Sequence, residues 1–146
     1  MNQEGKVVIK QLPTGIRGLD EILGGGLPEF SFNIIAGAPG SGKTTLAHQF
    51  VFANATADRP ALYFTVLGEP ALKMLRYQQQ YTFFDASKLN SAVRFVNLGP
   101  VLSEHGLAGV LKEVAQQVES ANPSIVVVDS FRTVVRNASE NESEIQ

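Results

Sequence analysis

Eight consecutive residues, Gly37-Ala38-Pro39-Gly40-Ser41-Gly42-Lys43-Thr44, have the types and spacing to hold a polyphosphate. They follow G-x-x-x-x-G-K-[ST], the phosphate-binding loop. A triphosphate crowds several negative charges into a small volume, so backbone N–H groups must converge on it closely. Glycines at 37, 40 and 42 permit the necessary dihedrals and keep Cβ atoms out of the way. Lys43 would set an ammonium on the β- and γ-phosphates, and the Thr44 hydroxyl would hold Mg²⁺. With Thr45, the cradle runs from Gly37 to Thr45.

Such a loop works only between a strand and a helix. Residues 31–36 (SFNIIA) favour a strand, and Leu46, Phe50 and Val51 then recur at helical spacing. The helix N-terminus adds roughly half a positive charge facing the phosphates. A glycine-rich turn that happens to end in Lys-Thr is the alternative, and the strand–loop–helix context argues against it.

The whole chain fits that picture. Its 146 residues support one domain, and 44 % hydrophobic with 18 % charged residues is an ordinary globular balance. A formal net charge of −2 gives no electrostatic reason to expect a nucleic-acid partner. The absence of cysteine rules out disulfides and thiolate metal sites and suits a cytoplasmic location. No apolar run reaches the 18 or more residues of a membrane span, so no membrane association is expected. His48 and His105 are too far apart in sequence to suggest a metal pair; each reads as a surface or half-buried residue.

Residues 1–11 are either an N-terminal arm or an edge strand. After them, Ile16, Leu19, Ile22 and Leu23 fall on one helical face with Thr14 placed to cap it, and Gly24-Gly25-Gly26 ends the helix. Residues 61–66 (ALYFTV) form a continuous apolar run, as a buried parallel strand should. A second strand is expected over 93–98 and a third over 124–130. Between those two, Leu107, Val110, Leu111, Val114 and Val118 mark the clearest helical stripe, stopped by Asn122-Pro123. Strands alternating with helices predict βαβ units and a mostly parallel sheet.

The segment LPTGIRGLDEILGGGLPEFSFNIIAGAPGSGKTT resembles the entry to a RecA-type ATPase domain, specifically its KaiC-like branch, to which RadA proteins are related. A T-G-x-x-G-L-D helix, a glycine run, a strand and the phosphate loop together are far more specific than the loop alone. The resemblance implies a three-layer α/β P-loop NTPase fold that binds ATP with Mg²⁺. It also implies a homo-oligomeric ring, usually of six subunits, with nucleotide at each interface.

The resemblance gives roles to two carboxylates. Asp129 ends a β-branched run, at the carboxyl edge where open α/β sheets bind ligands, and fits the Walker B aspartate that holds Mg²⁺. The competing reading is an exposed turn residue. Glu69 follows the strand where relatives place the carboxylate that activates the attacking water; it could equally be a helix N-terminal acid favoured by the dipole. The paired glutamates of the KaiC pattern align with Leu67 and Gly68, and Glu69 comes one residue later. Arg132 and Arg136 are either subunit contacts or solvated charges.

RecA-type sheets insert a later strand between the phosphate-loop strand and the Walker B strand. By that resemblance, residues 1–146 are the front portion of a single, longer domain, truncated at the C-terminus. Three functions are expected to compete: a Mg·ATP-hydrolysing module coupled to assembly or signalling, a RadA-type DNA repair ATPase, and a nucleotide-sensing scaffold with weak hydrolysis.

Overall fold

The structure, a computed structural model, describes residues 7–66 and 71–130. These form two compact units that divide after Asn54.

In the first unit, β1 (Gln11–Leu12) pairs antiparallel with β2 (Leu27–Pro28), Leu12 opposite Leu27. The loop between them holds α1, a single turn over Leu19–Ile22. Gly26, at φ +133°, passes so close to the Leu12 carbonyl that any Cβ would collide with it. Only glycine fits there.

The helix anticipated from Thr14 onward begins instead at Leu19, because Gly15 (φ +73°) and Gly18 (φ +81°) hold left-handed backbone that a helix cannot contain. Thr14 is therefore no cap. Its backbone N–H and its hydroxyl donate to Asp20 Oδ1, at 2.6 and 2.7 Å, and Ile16 N–H donates to the Thr14 hydroxyl. These hydrogen bonds hold the Asp20 carboxyl below its ordinary value, the side-chain bond from Thr14 contributing most. A depressed carboxyl stabilises the fold above its unfolded pKa and loses that contribution as pH falls through the folded value. The Thr14 amide resonance is expected to titrate with a midpoint below 3.8; a midpoint at or above 3.8 would contradict the bond.

The main element of this unit is α2 (Lys43–Asn54). Its far end grips the 13–15 turn: Asn54 Nδ2 donates to Pro13 O at 2.7 Å and Gln49 Nε2 to Gly15 O at 2.6 Å. A Cβ on Gly15 would press on Ala53 Cβ at 3.3 Å. The T-G-x-x-G-L-D motif is thus a brace on the helix that the phosphate loop starts. Ala47, His48, Val51 and Phe52 are the buried residues of α2, and Leu46 and Phe50 are half-buried. His48, read from sequence as surface or half-buried, is fully buried.

Residues 31–36 do not form the anticipated strand. Among the described residues nothing pairs with them, and Phe32 and Ile34 are 89 % and 79 % exposed. Alternating apolar residues become a strand only when a neighbour accepts their backbone hydrogen bonds.

The second unit is a parallel sheet in the order β4–β3–β5, with β3 (Ala61–Thr65) between β4 (Val93–Asn97) and β5 (Ile125–Asp129). These strands match the expected ones to within a residue at each end. Between β3 and β4 lie α3 (Ala71–Gln78) and a short 3₁₀ turn at Ala86–Lys88, which Asp85 caps by accepting from Ser87 N–H. The long α4 (Gly99–Ala121) links β4 to β5.

Side chains alternate across the sheet. Leu62, Phe64 and Val66 form a core with Leu98 and with Leu102 and Val110 of α4, and Val114, Val118 and Ala121 pack beside them. This corrects the expected stripe. Leu107 and Leu111 are exposed, and Leu102, on the other side of a helix break at Gly106 (φ +61°), takes part in the core. The opposite face carries Ala61, Tyr63 and Thr65. Among the described residues, no helix is long and apolar enough to cross a membrane.

Candidate functional site

The loop at Gly37–Thr44 runs directly into α2. A turn closes where Ser41 N–H donates to Ala38 O at 3.2 Å. Gly40 (φ +77°) and Gly42 (φ +86°) then take left-handed backbone, and Lys43 is the first helical residue. A Cβ on Gly37 would sit 2.6 Å from Ser41 Oγ, so a side chain there would push the Ser41 hydroxyl aside. The first N–H groups of any helix lack intrahelical acceptors, and no acid in the first turn of α2 offsets its positive end.

Lys43 reaches back over that end. Its Nζ donates to Gly37 O at 3.0 Å and to Ala38 O at 2.8 Å. The ammonium is therefore held above the loop, by neutral carbonyls it can exchange for stronger anionic acceptors. Gly37 to Gly42 are exposed; Lys43, Thr44 and Thr45 are half-buried. Amides, a helix N-terminus and one cation around an exposed loop have the chemistry to hold a polyanion. The donor set fits the phosphates of a nucleotide, and Thr44, at the second helical position, fits a hydroxyl ligand to Mg²⁺.

Asp129 belongs to the second unit. It ends β5 in register with Thr65, which is in register with Asn97, so three polar residues line the carboxyl edge of the sheet. Tyr63 O–H donates to Asp129 Oδ2 at 2.9 Å. Burial, and then the Asp129 charge, hold the Tyr63 phenol well above its ordinary range, so it remains a donor. Thr65 is buried, and its hydroxyl finds no hydrogen-bond partner among the described residues. Asn97 Oδ1 accepts from Gly99 N–H at 2.9 Å, at the start of α4. An edge with a fixed carboxylate suits a divalent cation that keeps most of its ligands as water and phosphate.

The structure thus gathers Gly37 to Thr45 into one loop and the first turn of α2, and places Asp129 at the end of a strand. Glu69, Arg132 and Arg136 lie outside the described residues.

A family described as "ATPase: KaiC" matches residues 12–145. The chain belongs to the KaiC family of ATPases. Among its relatives, a UPF0273 protein of Thermotoga maritima is 41 % identical over 63 residues, covering 43 % of this chain and 26 % of that protein. The DNA repair protein RadA of Mycobacterium tuberculosis is 34 % identical over 122 residues, 84 % of this chain and 22 % of RadA. A UPF0273 protein of Pyrococcus furiosus is 27 % identical over 143 residues, 89 % of this chain and 58 % of the relative. The KaiC-family chain therefore spans less than two thirds of each.

The expected RecA-type α/β fold agrees with both the family and the parallel sheet. Sequence reasoning missed Tyr63. The signal was one hydroxyl-bearing ring in an otherwise apolar run, two residues before the strand's end, but its partner lies 66 residues away and only strand pairing brings the two together.

Proposed function

We propose that this KaiC-family chain binds Mg·ATP through the 37–45 loop and hydrolyses it, within a cytoplasmic ring of identical subunits that couples the cycle to assembly or signalling. The observation that carries this reading is the loop itself, with glycines at positive φ leading into a helix whose first residue holds its ammonium over the turn. Lys43 exchanges the Gly37 and Ala38 carbonyls for β- and γ-phosphate oxygens. Thr44 and Asp129 would hold Mg²⁺, which when bound would neutralise charge on the leaving phosphates. Glu69 orients the attacking water.

Steady-state phosphate release by the full chain tests the catalytic half of the proposal. Glu69→Gln is expected to lower turnover by about 100-fold or more, within the usual range for general acid–base catalysis. Unchanged turnover would remove Glu69 from the reaction. Absence of turnover in the native chain, with nucleotide binding intact, would favour a nucleotide-sensing scaffold.

A DNA repair role is the second reading, supported by the similarity to RadA over 84 % of the chain. The net charge of −2 speaks against it. DNA affinity that falls steeply with salt would support it, because phosphate contacts release counterions.

A further inference from the structure

Asp129 is not simply a carboxylate at the end of a strand. Tyr63 lies on the neighbouring strand β3, in register with Val127, and its phenol reaches two positions along the sheet to donate to Asp129 Oδ2 at 2.9 Å. The tyrosine is fully buried, and its ring leans on Phe95 of β4 with centroids 5.2 Å apart, so the donor is held from behind. Thr65, the register partner of Asp129, adds a buried hydroxyl with no hydrogen-bond partner among the described residues. Buried polar groups are normally satisfied by protein, ordered water or an ion, so this edge has the character of a ligand site. Packing alone does not need the phenol oxygen, since phenylalanine would fill nearly the same space.

We propose that Tyr63 is a positioning residue, whose hydroxyl fixes the rotamer of Asp129 so that the carboxylate meets a nucleotide-bound divalent cation already oriented. The proposal rests on the Mg·ATP reading above. Tyr63 acts on the metal through Asp129 and not by direct contact. Removing the hydroxyl therefore weakens the metal's contribution and leaves metal-free nucleotide binding alone.

The test is a Mg²⁺ titration of a fluorescent ATP analogue on the full chain, alongside the analogue's affinity in EDTA. Tyr63→Phe is expected to raise the Mg²⁺ half-saturation about tenfold, the loss of one hydrogen bond to a charged group, with EDTA affinity unchanged. Asp129→Asn is expected to raise it at least as much, and adding Tyr63→Phe to it to change nothing further. Should Tyr63→Phe fail to fold, 3-fluorotyrosine in the native chain replaces it, with the Tyr63 signal assigned through Tyr77→Phe and Tyr81→Phe. That signal is expected to shift on adding Mg·ATP more than on adding ATP in EDTA. Equal Mg²⁺ dependence in native and Tyr63→Phe chains, or an unmoved fluorine signal, overturns the positioning role while the Mg·ATP reading stands. No metal-dependent binding in the native chain overturns both.

Discussion

Replacing Phe64 with alanine is expected to cost about 3–5 kcal/mol of stability, the range for removing a large side chain from a packed core. Phe64 is fully buried at the centre of the cluster that joins β3 to α4, among Leu62, Val66, Leu98, Leu102 and Val110. It sits on the central strand, so the cavity would open under both flanking strands rather than at an edge that could collapse. A domain of this kind has about 5–15 kcal/mol to lose, so the variant would stand close to unfolding. Equilibrium denaturation read by circular dichroism checks this. A midpoint shift equivalent to under 1 kcal/mol would mean that α4 does not seal the sheet as described. The effect would reach the site as well, because β3 carries Tyr63 and Thr65 on its other face.

Lys43→Ala is expected to do the opposite, sparing the fold and removing the ligand. Its Nζ bonds are to exposed backbone carbonyls, and alanine is the best helix former for the first turn of α2. Against phosphate the same ammonium makes charge-assisted bonds, each worth about 1.5–3 kcal/mol. Two such bonds amount to a loss of roughly 100-fold or more in nucleotide affinity. Unfolding midpoints should stay within about 0.5 kcal/mol of the native chain, as for other surface changes.

What could be read from the sequence followed from local signals. The phosphate loop carries its chemistry in eight adjacent residues, and the apolar run at 61–65, the segment 93–97 and the β-branched run ending at Asp129 mark their strands almost to the residue. The misreadings came from backbone conformations and partners that lie outside the pattern. Gly15 and Gly18 keep Thr14 from capping a helix and turn it onto Asp20, a competition between two uses of one hydroxyl. Leu107 and Leu111 fit the helical stripe of Val110, Val114 and Val118 yet are exposed, because spacing alone does not say how much of a stripe the sheet covers. His48 is buried because apolar residues ring α2, and no pattern of spacing alone selects which face turns inward. Residues 31–36 have strand composition without a ladder partner among the described residues. The Tyr63–Asp129 bond depends on register across strands, which no short window of sequence contains.

The central claim is that one glycine-rich turn and one ammonium capture the tail of a nucleoside triphosphate. The most direct measurement is a titration of the folded full chain, native and Lys43→Ala in parallel, with a fluorescent ATP analogue and magnesium. Saturation of the native chain in the micromolar range, with Lys43→Ala about 100-fold weaker, is the predicted result. No binding by either up to millimolar nucleotide, or equal binding by both, would contradict it.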